Sequence, residues 1–219
     1  MNDDQQLLTA LTTEHFTLQG ARSQTMSESS SRASLFVFSV SSALIALGFI
    51  SQVSEIGDLF YAFALTVLPT LYVLGVITFV RVLECAAEDF RYGLAINRIR
   101  GHYREVAGER AELFLLSGND DASGVRENMA LPPEGQTPIF AFSSAIAVID
   151  GVVGGAAVAL VLGALADASL AVAAIAGGLA AVVSAVGWIR YSDRFFNERA
   201  AEVRPLFPSS GLADRRSAQ

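Results

Sequence analysis

The chain has 219 residues, a hydrophobic share of 52%, a mean hydropathy of +0.44 and a formal net charge of −7. Its apolar content lies above the soluble average, and its acidic balance argues against a nucleic-acid partner. All fifteen basic residues are arginines, confined to segments 1–34, 81–137 and 190–219, which two long apolar stretches separate.

The apolar stretches contain four runs: Leu35–Val53, Leu59–Val80, Ile139–Ala166 and Ala168–Ile189. Each run reaches the roughly 20 residues that an α-helix needs to cross about 30 Å of hydrocarbon. We therefore predict an all-α polytopic membrane protein, with four transmembrane helices in two hairpins and a cytoplasmic helical layer. The predicted segments are an N-terminal amphipathic helix 1–34, the hairpins 35–80 and 138–189, a helix and loop 81–137, and a helix with a disordered tail 190–219.

The arginines also predict the orientation of the chain. Short cytoplasmic loops retain positive charge, whereas the turns at Glu55–Asp58 and Asp167 carry only acids. Both termini are therefore expected in the cytoplasm. The lone Cys85 suits a reduced compartment. The partners predicted for the chain are a lipid bilayer and membrane proteins.

The first hairpin is rich in phenylalanine, and we expect it to be the hairpin more exposed to lipid. Pro69 falls midway along its second helix. Because proline removes a backbone donor, it predicts a kink there, either static or acting as a hinge.

The segment after the first hairpin continues a helical pattern past Arg81. Apolar and long side chains follow a heptad seam: Tyr92, Ile96, Ile99, Tyr103, Val106, Arg110 and Leu113. Three glycines weaken this helix, so it needs a packing partner. Two stripes of the same chain could supply one, as could a second copy of the chain. The first stripe is Leu8, Leu11, His15 and Leu18, and the second, after the fourth span, is Phe196, Arg199, Val203 and Leu206.

The loop after this seam resembles the start of a calcium-binding loop at Asn119, Asp121, Ser123 and Gly124. Ala130 stands where that loop needs a bidentate glutamate, so we predict no calcium site. Asp120 and Asp121 are predicted to form a solvated turn.

Small residues recur every four positions in the second hairpin. On its first helix they are Gly151, Gly155, Ala159 and Gly163, and on its second Ala173, Gly177, Ala181 and Ala185. Lipid gives apolar helices no hydrophobic reason to associate, so close backbone approach has to supply dispersion contacts. We predict that these two helices form a tightly packed pair.

Asp150 is the one ionisable residue inside a predicted span. Acids in membranes are costly and usually face protein or water. Three interpretations remain open: an ion- or proton-linked role, a structural bond to a neighbouring helix or arginine, and a partly wet interfacial position.

Several short runs, 14–22, 32–35, 96–100 and 114–118, resemble small integral membrane proteins common in actinobacteria. This resemblance covers most of the chain and implies a bacterial inner membrane, without implying an activity. The similar proteins tend to carry asparagine where Asp150 stands.

We predict no enzyme, because His15 and His102 are isolated and no catalytic or metal-binding motif accompanies them. No cofactor is expected. The leading hypothesis is a non-enzymatic scaffold or accessory subunit that acts through self-association, as a homo-oligomer, or through a membrane partner protein. The alternative is a small oligomeric ion channel or pore with Asp150 near the path.

Overall fold

The computed structural model describes residues 3–53, 57–131, 142–166, 168–201 and 203–209. It contains five α-helices: α1, Asp3–Val53; α2, Asp58–Ala107; α3, Ala122–Asn128; α4, Phe142–Leu165; and α5, Leu170–Ala201. A 3₁₀ turn, Gly108–Leu113, follows α2. Helices α1, α2, α4 and α5 are long and apolar enough to cross a membrane. The predicted fold, a multi-pass all-α membrane protein with four spanning helices, is confirmed.

The chain divides into two compact units. The membrane unit comprises Ser29–Glu84 and Ile139–Arg194, and the polar unit comprises Met1–Glu28, Cys85–Pro138 and Phe195–Gln219. Helices α1, α2 and α5 each contribute to both units. The serine-rich stretch of α1 does not interrupt the helix, and the hydroxyl of nearby Thr25 donates to the carbonyl of Ala21, four residues earlier.

Long helices that follow one another along the chain run antiparallel in the membrane unit. Tyr72 on α2 packs against Gly154 on α4, whereas Gly75, one turn later, packs against Asp150, one turn earlier. Helices α4 and α5 pair in the same opposed order, and α1 and α2 form a hairpin. One end of the unit therefore carries Arg32, Arg81 and Arg190, and we call it the arginine-bearing end.

The polar unit has a small core in which the seam of α2 meets the first helix of the same chain. Leu18 packs with Ile96 and Ile99, and the surrounding residues are Leu11, Tyr92, Ala95 and Tyr103. Beside this core, the guanidinium of Arg22 donates to both carboxylate oxygens of Asp89, at 2.6 and 3.1 Å. The N-terminal stripe thus packs on the seam within one chain.

The prediction that the seam continues to Leu113 is wrong. Helix α2 ends at Ala107 because Gly108 adopts a left-handed backbone, with φ of 53°. Val106 and Leu113 are consequently 62% and 78% exposed.

Some predicted features lie outside the described residues. They are most of the turn at Glu55–Asp58, the turn residue Asp167, the loop beyond Leu131, the start of the second hairpin at 138–141, and the C-terminal tail after Ser209.

Candidate functional site in the membrane unit

Glycines close the interface between α4 and α5. A Cβ atom at Gly155 would collide with the carbonyl oxygen of Gly177 and lie 2.8 Å from the Cβ of Ala181. A Cβ at Gly151 would lie 2.7 Å from the carbonyl oxygen of Ala181. Around Gly163, in contrast, no neighbouring atom lies within 4 Å of an added Cβ. Gly151, Gly155 and Gly177 are therefore contact positions, and Gly163 is not.

The carboxyl group of Asp150 occupies a space that a glycine on the neighbouring helix leaves open. A Cβ at Gly75 would collide with Oδ1 of Asp150 and lie 2.5 Å from its Cγ. The Cε2 atom of Phe36 on α1 lies 3.0 Å from the same point. Asp150 itself is 0% exposed. Three helices thus enclose this carboxyl group.

Neither oxygen of Asp150 has a hydrogen-bond partner among the described residues. This finding contradicts the interpretation of Asp150 as a structural bond to a neighbouring helix or arginine. Asp150 is fully buried within the chain, and a partly wet interfacial position stays a prediction. Native proteins leave few buried polar groups unpaired, so this carboxyl group requires another explanation.

Hydroxyl groups flank the carboxyl on both sides. Towards the arginine-bearing end, Thr78 and Ser143 are buried, each 7% exposed, and Ser144 beside Ser143 is 8% exposed. On the other side, the Tyr72 ring packs on Gly154 and its hydroxyl lies 3.1 Å from Oγ of Ser184 on α5. Polar groups from three helices therefore share the level of Asp150 or lie within about two helical turns of it.

The depth of the carboxyl follows from helix register. Its neighbour Phe36 lies four residues after Arg32 (36 − 32), and Gly75 lies six residues before Arg81 (81 − 75). At about 1.5 Å per residue, these separations place Asp150 roughly 6–9 Å inside the arginine-bearing end. The site is thus inside the apolar layer and close to one of its faces.

The expectation that the phenylalanine-rich hairpin is the lipid-exposed one is wrong in part. Phe36 and Phe79 are each only 1% exposed, whereas Phe38 and Phe49 are 71% and 66% exposed. In the most apolar 18-residue stretch of α5 only 11% of the residues are buried, against 33% in the corresponding stretches of α2 and α4. Helix α5 contacts α4 through its small-residue face and α2 through Ser184 and Trp188, which leaves its remaining faces open.

Helix α2 continues through Pro69 without ending. Pro69 lies six residues before Gly75, and so about two turns from the carboxyl site. The kink at this position stays a prediction.

The prediction of a solvated turn at Asp120 and Asp121 is wrong, since these residues are 1% and 5% exposed. Asp120 accepts hydrogen bonds from the backbone N–H groups of Leu206 and Phe207 and from Nε of Arg98. Asp121, the N-cap residue of α3, accepts from the N–H groups of Gly124 and Ser209. The two carboxylates are buried because they hold the C-terminal segment 203–209 inside the polar unit.

Within the described ranges, no three His, Cys, Asp or Glu side chains converge as they would around a metal ion. Comparison of the chain with protein-family models, with curated proteins and with solved structures gives no match. The functional conclusions below therefore rest on the geometry of the two units.

Proposed function

We propose that this chain is a non-enzymatic protein of the bacterial inner membrane that works as a scaffold or accessory subunit, through association with a second copy of itself or with a membrane partner. The observation that carries the proposal is an open groove of about 460 Å³ between α1 and α4. It is lined by three serines, Ser30, Ser34 and Ser41, together with Ala33, Val37, Phe38, Ala145, Ile146 and Ile149.

The composition of this groove favours another transmembrane helix as its occupant. Small residues let two backbones approach closely, and serine hydroxyls can donate hydrogen bonds across a helix pair in lipid. The outer faces of α5 offer less to a partner, since exposed side chains such as Ile175, Leu179 and Val183 are purely aliphatic. The α1–α4 groove is therefore a lateral surface suited to specific association.

The alternative, an oligomeric channel, receives less support from the position of Asp150. A pore on the axis of a symmetric ring is lined by residues that are exposed on each single chain. Asp150 is instead enclosed by α1, α2 and α4 of its own chain and is 0% exposed. It is therefore poorly placed to line a path between subunits.

Association through the groove can be tested with cysteine cross-linking in native membranes. In a Cys85→Ala background, Ser41→Cys should give a cross-linked species, whereas Val183→Cys on the open face of α5 should not. A species of twice the chain mass indicates self-association, and another mass indicates a partner. Ser41→Leu should abolish association, whereas Ser42→Leu, an exposed neighbour outside the groove, should not. A strictly monomeric chain without cross-links would overturn the proposal.

The proposed orientation can be tested separately with a membrane-impermeant thiol reagent. Single cysteines at Asp4 and at Leu115, which is 95% exposed, should react only from the cytoplasmic side. A cysteine at Leu170, 85% exposed at the start of α5, should react from outside intact cells. Reaction at position 115 from outside would reverse the orientation.

A further inference from the structure

The burial of Asp150 restricts the form in which its carboxyl group is stable. An ionised carboxylate without a partner is far more costly inside a protein than a neutral acid, and within lipid the difference is greater still. No described residue donates a hydrogen bond to either oxygen. The carboxyl therefore has to bind a cation or hold a proton.

A metal cation does not suit the surroundings. Calcium and magnesium require six or more oxygen ligands, whereas the carboxyl group of Asp150 supplies two and packs against Gly75, with Phe36 beside the same glycine. The hydroxyl of Thr78 is engaged with the carbonyl of Leu74, at 2.8 Å. A single carboxyl group, with no other acidic side chain on the described part of α4, is a site for a proton rather than for a divalent cation.

Charged groups on the packed helices do not compensate Asp150. The nearest in register are Arg32 on α1, Arg81 on α2 and Arg190 on α5, and none forms a hydrogen bond with it. The described part of α4 carries no other charged residue. The remaining titratable neighbour, Tyr72, directs its hydroxyl towards Ser184.

The two directions away from Asp150 differ in polarity. Towards the arginine-bearing end lie the buried hydroxyls of Thr78, Ser143 and Ser144. In the opposite direction, beyond Tyr72, the buried residues of α2 are apolar: Leu71, Leu68 and Ala64. We infer that Asp150 is an intramembrane proton-binding site that exchanges its proton with the arginine-bearing side and is closed to the other. Such a site responds to pH on one side without conducting.

Infrared spectroscopy of the full chain in oriented vesicles tests this inference. Protonated and ionised carboxyl groups have well-separated carbonyl bands. We expect an acid band at neutral pH that shifts when the aspartate γ-carbons are isotopically labelled and is lost in Asp150→Asn. The band should respond to pH changes only on the arginine-bearing side. Its absence from the labelled wild-type protein, or a response to the opposite side, would overturn the inference.

Hydrogen–deuterium exchange of the same band tests the path. Thr78→Val should slow exchange severalfold, because it removes a buried hydroxyl that lies about one helical turn beyond Gly75 on the arginine-bearing side. Thr66→Val is the matched control, since Thr66 is a threonine of the same helix that bonds to its own backbone, to Ala62. Equal exchange rates in the two variants would remove Thr78 from the path, and slower exchange in Thr66→Val than in Thr78→Val would place access on the other side.

Discussion

Alanine substitutions at two glycines of one helix measure how much the α4–α5 contact contributes to stability. At Gly155 a new Cβ would meet the Gly177 carbonyl and lie 2.8 Å from the Ala181 Cβ. The helices would have to separate by roughly 0.5–1 Å, which forfeits about a quarter to a half of the local dispersion attraction. Gly155→Ala should therefore lower the free energy of unfolding by about 1–3 kcal/mol.

Gly163→Ala is the matched control, because no atom lies within 4 Å of its new Cβ. Alanine also favours helix over glycine, by about 1 kcal/mol in water, so this variant should be neutral or more stable. Unfolding in mixed micelles can be followed by the fluorescence of Trp188, the single tryptophan, whose ring centroid lies 5.1 Å from that of Phe79. Equal stability of Gly155→Ala and Gly163→Ala would refute the close-packed interface.

Three further predictions concern single contacts. Gly75→Ala should lower the free energy of unfolding by about 1–3 kcal/mol in the wild-type chain. The loss should be smaller in an Asp150→Ala background, because the carboxyl group that the new Cβ would meet is gone. Additive effects in the double-mutant cycle would contradict this contact. Asp120→Asn should weaken the docking of segment 203–209 on the polar unit by about 2 kcal/mol and speed proteolysis of that segment. An unchanged rate of proteolysis would contradict the role of Asp120 in holding the segment. Burial, and secondarily Arg100, lowers the pKa of His15. As the pH falls, His15 is therefore protonated in the unfolded chain before it is protonated in the folded one, and thermal stability should decrease below about pH 6.5. His15→Gln should remove this part of the decrease. A pH profile of stability that is the same in His15→Gln as in the wild type would contradict the prediction.

The sequence is informative about the membrane spans because length and apolarity decide which helices can cross a bilayer. The four runs fall on α1, α2, α4 and α5, although α1, α2 and α5 each extend well beyond their run at one end. The heptad pattern likewise locates Ile96 and Ile99 in the core of the polar unit. These features depend on residues close together in the chain, and a periodic pattern reports them directly.

Contacts between distant residues could not be predicted in this way. The sequence identifies Asp150 as an unusual residue, but the glycine against which it packs, Gly75, lies on another helix. The sole sequence feature that hints at a role for Gly75 is that it is the single glycine of the second apolar run. The burial of Asp120 depends on Leu206 and Phe207, 86 and 87 residues later. Loop composition predicts solvation, and only the tertiary contact reverses that expectation.

Ion flux through vesicles containing the purified protein tests most directly whether Asp150 is a closed site inside one chain. Under a proton or cation gradient, wild-type protein and Asp150→Asn should both leave the flux at the level of protein-free vesicles. Asparagine keeps the shape of the side chain and removes the titratable proton, so folding should be retained. Gradient-driven flux through the wild-type protein that disappears in Asp150→Asn would contradict the account and favour the channel.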